Sequence, residues 1–212
     1  MELIIGTKKW STWSLRPWLA LKRTGAEFQE TVITLREAGV TEEIARHSPS
    51  GKVPALKDGE LLLWDSLAIC EYLAERHPET GLWPGDQSAR AIARSYACEM
   101  HSGFPDVREQ LSMNYARKVA LPELRDDTKT QLGRILGSWE HALATYKGEF
   151  LFGKLSVADC MYAPVVSRLR TYGVETSAPV KAYMDRIMAL PAMQDWMTAA
   201  KAEIAAGLPE TY

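Results

Sequence analysis

The sequence predicts an α/β domain with the element order β-α-β-α-β-β-α, followed by a domain made only of helices. Three observations lead there. Strand and helix signals alternate over the first 75 or so residues. The stretch from His77 to Asp86 gathers Pro78, Gly81, Pro84 and Gly85, and beyond it apolar residues recur only at helical spacing. The division that follows is 1–77 for the first domain, 78–86 for a linker and 87–212 for the second.

Leu3-Ile4-Ile5 is a short apolar run closed by Gly6, the pattern of a buried strand. Ser14 to Lys22 places Leu15, Trp18, Leu19 and Lys22 at helical spacing, with Gly25 as its stop. Glu27 to Leu35 alternates around Phe28, Val32 and Ile33, a second strand, and Thr41–His47 forms a short helix. Ser48-Pro49-Ser50-Gly51 is a loop by composition. Val53 to Lys57 and Glu60 to Leu63 flank Asp58-Gly59, a strong hairpin signal. Asp65 to Arg76 is helical, with Ser66, Ile69, Cys70 and Leu73 on one face. Past the linker, residues 87–117 and 126–147 give two long helical patterns separated by Pro122. Gly103 and Pro105 are expected to kink or interrupt the first. Leu132, Ile135, Leu136, Trp139, Leu143 and Tyr146 form the stripe of the second. Two further stripes, around Val180–Met188 and Met193–Ala200, lie on either side of Pro191.

The 212 residues are 46% apolar and 25% charged, the balance of an ordinary globular protein, so disorder and fibrous repeats are excluded. Lys and Arg (25) nearly cancel Asp and Glu (27), a net charge of −2, which argues against nucleic-acid or anionic-membrane partners while allowing a local anion site. No apolar run approaches the ~18 residues of a membrane span. The first residues lack the basic–apolar–small order of a signal peptide. Cys70, Cys98 and Cys160 are far apart and odd in number, so they read as reduced, packing cysteines with no metal site, in a cytoplasmic protein.

Four local features could carry chemistry. Trp10-Ser11-Thr12-Trp13-Ser14-Leu15-Arg16-Pro17-Trp18 places hydroxyls where the first strand meets the first helix, beside N–H groups and a dipole that favour an anion. Capping by Ser11 or Ser14, with Pro17 tolerated in the first turn, explains the same residues structurally. Lys52-Val53-Pro54 enters the third strand, and a proline opening a strand needs no function. Its peptide bond would ordinarily be trans, since only about 5–6% of such bonds are cis. Asp65-Ser66 begins a helix, either as a simple cap or as a binding site for a substrate carboxylate. Ser156 and Asp159 make a capping box, a structural feature that sets the start of the helix carrying Tyr162 and Val166.

In this order and approximate spacing, the four features resemble the glutathione S-transferase superfamily, and the resemblance covers essentially the whole chain. It implies a thioredoxin-like N-terminal domain that binds glutathione as co-substrate, a helical C-terminal domain, a homodimer, and a cis Val53-Pro54 bond. Ser11-Thr12-Trp13-Ser14-Leu15-Arg16 is similar to the Ser-Ser-Cys-Ser-Trp-Arg stretch of zeta-class members, which makes Ser11 the activating hydroxyl, with Ser14 and Thr12 the alternatives. By the same resemblance Val53, with Pro54, would hold the cysteinyl main chain. Asp65 and Ser66 would take the γ-glutamyl amine and carboxylate, and Lys52 a carboxylate of the tripeptide. Trp13 stands where the zeta class has cysteine, a departure from its maleylacetoacetate isomerases, and Asp65 stands where many members have glutamate. The lack of an early tyrosine disfavours the alpha, mu and pi classes, and the lack of a cysteine in the first turn disfavours omega and beta.

The expected chemistry is serine-assisted ionisation of the glutathione thiol and its attack on a small hydrophobic electrophile. Trp10, Trp13, Met100, His101, Phe104 and Arg108 are the candidates for the electrophile pocket, each with core packing or an exposed helix face as the structural alternative. Lowering a thiol pKa by about two units favours the thiolate by roughly 2.7 kcal/mol. The attendant loss of nucleophilicity cancels much of the gain, so positioning of the electrophile must supply much of the rest. A glutathione-dependent isomerase or peroxidase, and a non-catalytic binding or scaffold protein of the same fold, are the alternative functions.

Overall fold

The computed structural model describes residues 1–113 and 118–208. Residues 114–117 of the first long helical pattern, and 209–212 of the second domain, lie outside the described residues.

The first domain runs β1 (Glu2–Gly6), α1 (Thr12–Thr24), β2 (Gln29–Ile33), α2 (Val40–His47), β3 (Ala55–Asp58), β4 (Leu61–Trp64) and α3 (Ser66–Arg76), the expected order. The sheet order is β2-β1-β3-β4, with β1 parallel to β2 and antiparallel to β3, and β3 antiparallel to β4. The parallel pair needs a crossover, which α1 supplies, while β3 and β4 close by a tight turn. Leu3 and Ile5 face the main core, and Ile4 faces a smaller cluster with Ile33, Ile44 and Ala55. A central strand covered on both faces explains why its sequence is continuously apolar. Gly6 makes room for Leu35: a Cβ there would sit 2.6 Å from Leu35 Cδ1, so a larger residue would require that side chain to shift.

Two local details differ from the sequence reading. Asp58 pairs with Leu61, so the hairpin turn is Gly59-Glu60 rather than Asp58-Gly59, with Gly59 supplying the positive φ of 60°. Helix α1 begins at Thr12 rather than Ser14, capped by Ser11, so Pro17 falls in the second turn and the Trp13 carbonyl lacks its helical donor. The helix ends at Gly25, left-handed at φ 72°, as expected.

The second domain contains α4 (Gln87–Ser102), α5 (Pro105–Gln110), α6 (Asp126–Tyr146), α7 (Val157–Thr171), α8 (Ala178–Ala189) and α9 (Pro191–Ala205). The helical pattern from residue 87 breaks at Gly103 and Phe104. Gly103 is extended, a Cβ there would lie 2.7 Å from the Glu99 carbonyl oxygen, and Phe104 takes φ 59° before Pro105 opens α5. Helix α7 is buried on nearly every side and begins at the expected capping box. The Asp159 carboxylate accepts from Leu151 N (3.1 Å), Ser156 N (2.8 Å) and Ser156 Oγ (2.8 Å). Burial raises this carboxyl to about 6, against the pull of those donors.

One hydrophobic core runs through both domains, joining Leu15, Trp18 and Cys70 to Ala93, Met161, Val165 and Trp196. The segment that composition marks as a linker takes part in it. Leu82 and Trp83 are buried, and Leu82 O accepts from Val157 N at 2.8 Å. Cys70 and Cys160 are buried and free, but Cys98 is exposed, contrary to the packing role expected for all three. Helix α4 turns Ala93, Tyr96, Ala97 and Met100 inward, and residue 98 falls outside that stripe. Among the described residues, no helix is long and apolar enough to cross a membrane.

Candidate functional site

The N-terminus of α3 anchors the site. Asp65 adopts φ 74° and ψ 130°, and its Oδ1 accepts from Leu67 N (2.9 Å) and Ala68 N (3.2 Å). Ser66 follows, 1% exposed, its Oγ buried without a hydrogen-bond partner. Opposite them the chain enters β3 through a cis Val53-Pro54 bond. Ser50 Oγ accepts from Lys52 N at 3.3 Å and lies 2.9 Å from Ser48 Oγ, shaping the approach to that strand.

These pieces enclose a cavity of about 570 Å³ lined by Trp13, Ser50, Lys52, Val53, Pro54, Trp64, Asp65, Ser66 and His101. It brings together all five residues that the resemblance assigned to glutathione, with Trp13 and His101 from the electrophile set. A larger hollow of about 940 Å³, bordered by Met1, Lys22, Phe28 and Lys57, holds none of the chemistry-bearing residues. Two lining residues escaped the sequence reading. Ser50 was hidden in a loop defined by its composition. Trp64 ends β4 in a run of apolar residues, and its 47% exposure, the one signal that marks it, comes only from the fold.

The hydroxyls at the start of α1 form a chain rather than three equivalent candidates. Ser11 Oγ donates to Ser14 Oγ at 2.6 Å, and Ser14 Oγ also accepts from Gly6 N at 3.1 Å. Ser14 is fully buried, Ser11 is 5% exposed, and Thr12 is half-buried at the first helical position. None of the three lines the cavity, whereas Trp13 beside them does.

On the helical side, two guanidinium groups lie against the Trp13 ring, Arg16 at 4.1 Å and Arg108 at 4.9 Å from its centroid, and the ring meets that of His101 edge-on at 5.3 Å. His101 Nε2 lies 3.0 Å from Asp65 Oδ2. Arg108 donates through Nη2 to the carbonyls of Met100 and His101, tying α5 to the end of α4. Arg16 is buried, with Nε and Nη1 unpartnered. Burial first, then the nearby Arg108 and Arg168, push its guanidinium down to about 9. Burial lowers Arg108 as well. The other members of the electrophile set pack into the protein instead. Met100 and Phe104 are in the main core, and Trp10 is 6% exposed beneath Lys9 and Arg36.

Comparison with known proteins accords with this geometry. Residues 10–76 match the glutathione S-transferase N-terminal domain, and residues 122–199 match the glutathione S-transferase C-terminal domain. The chain is 29% identical to the maleylacetoacetate isomerase of Rattus norvegicus over 189 residues, 86% of this chain and 85% of that one. It is 27% identical to a stringent starvation protein A homolog of Pasteurella multocida over 175 residues, 80% of this chain and 77% of the other. A sphingomonad glutathione S-transferase solved in complex with glutathione superposes with a TM-score of 0.69 at 26% identity, covering 95% of this chain and 99% of its own. With both domains matched in order and the fold shared along the length of the chain, this protein belongs to the glutathione S-transferase superfamily.

Proposed function

We propose that this protein binds glutathione in the cavity between β3, α3 and the start of α1, and joins its sulfur to the alkyl or aryl group of a small hydrophobic electrophile. The observation that carries the reading is the buried, unpartnered Ser66 Oγ at the N-terminus of α3. A buried hydroxyl without a partner costs stability, and beside a helix N-terminus it suits a carboxylate. The γ-glutamyl carboxylate would take Ser66, its ammonium the free lone pairs of Asp65, and the main chain at Val53 the cysteinyl unit. Lys52 would meet the far carboxylate.

The thiol would then face the start of α1. In the free protein Ser11 donates to Ser14. With a thiolate present, both hydroxyls can rotate so that Gly6 N–H donates to Ser14, Ser14 to Ser11, and Ser11 to sulfur. Such a chain polarises along its length, and the helix terminus adds to it. The proton leaves the thiol for solvent, and sulfur attacks the carbon of an electrophile resting on Trp13 and His101. The new C–S bond replaces the bond to the leaving group, which departs to solvent as an anion (halide for an aryl halide). The division of the chain at 78–86 and a homodimer belong to the same reading, the dimer being tested by sedimentation.

Titration calorimetry with glutathione tests the binding half, and conjugation to an aryl halide tests transfer. Absence of binding at millimolar glutathione would leave a non-catalytic scaffold. A glutathione-dependent isomerase is the second reading, favoured by the unpartnered nitrogens of Arg16 and Arg108 around Trp13, which suit a second substrate carrying a carboxylate. The relation to a maleylacetoacetate isomerase points the same way. Turnover of cis-enone acids without net consumption of glutathione would select it.

A further inference from the structure

Resting on the role proposed for Ser11, we infer that Glu203 in α9 is a positioning residue for the Ser11 hydroxyl, and that the last helix holds the loop that delivers it. The loop of residues 7–10 joins β1 to α1. Glu203 Oε1 accepts from Lys8 N at 2.8 Å and Oε2 from Lys9 N at 2.9 Å, so one carboxylate holds two successive main-chain donors. This is a charge-assisted, two-pronged arrangement, stronger and more directional than neutral hydrogen bonds. From about two helix turns earlier in α9, Trp196 Nε1 donates to Lys8 O at 2.8 Å. Both main-chain polar groups of Lys8 are therefore held by the other domain.

The Lys8 side chain tightens the same junction. Its ammonium lies 2.5 Å from Glu30 and about equally over the rings of Trp18 (5.2 Å) and Trp196 (5.4 Å). From this anchored point the loop turns back on itself. Thr7 O accepts from both Trp10 N (3.1 Å) and Ser11 N (2.9 Å), and Thr7 Oγ1 accepts from Leu35 N (3.0 Å). Ser11 is thus placed by a turn whose outer side is fixed by α9. The position of Glu203 in the last turn of a helix is unfavourable by itself, because carbonyl groups gather there and favour cations. Its stabilisation comes from the two loop N–H groups, of Lys8 and Lys9, that donate to it.

A purely structural contact would change stability alone, while a positioning contact changes the ionisation of the bound thiol. The experiment compares wild type, Glu203→Ala, Glu203→Gln, Trp196→Phe and Ser11→Ala, each checked for a cooperative thermal transition. The readouts are the thiolate absorbance of bound glutathione against pH and the affinity for S-methylglutathione, which has no thiol proton. Glu203→Ala is expected to raise the bound thiol pKa by about one unit. Affinity for S-methylglutathione should stay within about twofold, since the tripeptide contacts are untouched. Glu203→Gln, which keeps one acceptor oxygen, should shift the thiol about half as far. If Glu203→Ala fails to fold, Glu203→Gln and Trp196→Phe carry the same readout. A folded set with the wild-type thiol pKa, alongside a Ser11→Ala protein in which it rises, overturns the role of Glu203 and leaves that of Ser11. A Ser11→Ala protein with an unshifted thiol overturns both.

Discussion

Asp65 Oδ2 lies 3.0 Å from His101 Nε2, a contact that joins the start of α3 to the end of α4 at the wall of the cavity. The other oxygen of the same carboxylate caps α3 through Leu67 N and Ala68 N. One side chain therefore ends a strand, starts a helix and ties the two domains together. Any ligand amine must share what remains of Oδ2.

Asp65→Asn separates these tasks. Asparagine retains the capping oxygen and tolerates a positive φ better than most residues, so the thermal midpoint should fall by no more than a few degrees. Its NH2 group would face the ligand ammonium, and glutathione affinity should drop roughly ten- to hundredfold by calorimetry. Asp65→Ala should lose both affinity and the cap, the latter worth about 1 kcal/mol in denaturant unfolding.

Ser66→Ala should weaken glutathione binding by roughly tenfold or more, the value of a hydrogen bond to a charged group. The fold should be unchanged or slightly more stable, because the hydroxyl has no partner to lose. A clear loss of stability with unchanged affinity would assign Ser66 to the helix start alone.

Ser11→Ala should raise the pKa of the bound thiol by about two units, and the rate profile follows in sign and size. At pH 6 the variant has far less thiolate and should be about tenfold slower, narrowing to about threefold at pH 7. The profiles should cross near pH 8, and above about pH 9, where both thiols are largely ionised, the variant's more basic thiolate is the better nucleophile and its rate should exceed the wild type. Parallel profiles across this range would remove Ser11 from thiol activation.

Asp159→Ala leaves three donors around Leu151 and Ser156 without an acceptor inside the core. A loss of about 3 kcal/mol in denaturant unfolding is expected, with glutathione affinity per folded molecule unchanged. Because burial holds this carboxyl near 6, above its unfolded value, its ionisation opposes folding. Its contribution to stability is largest in acid and declines as pH rises through about 6. Urea midpoints of wild type and Asp159→Asn between pH 4 and 7 check that trend.

The legible parts of this protein were those written in local chemistry. Gly25, the Ser156–Asp159 box and the stripe from Leu132 to Trp139 each act within a few residues, so their positions in sequence fix their structures. The start of α1 was misplaced by two residues because either Ser11 or Ser14 can cap, and only the bond from Gly6 N to Ser14 Oγ commits Ser14 to the interior. The electrophile set was legible only in part. Met100 and His101 are neighbours on α4 but point to different sides of it, the first into the core and the second onto the cavity, and the break at Gly103 and Phe104 sets Arg108 on a separate helix.

The sequence by itself determined the order of elements and the class of each domain, because hydrophobic period, turn chemistry and capping are properties of short segments. Lys52, Val53, Pro54, Asp65 and Ser66, which line the cavity, were singled out by family resemblance and not by local chemistry. Only the tertiary structure decided that Leu82 and Trp83 belong to the core and that Trp64 borders the cavity. It also decided that Glu203 grips the main chain at Lys8 and Lys9. Those relations join residues far apart in the chain, and their partners are chosen by how packed surfaces meet, which no local pattern encodes.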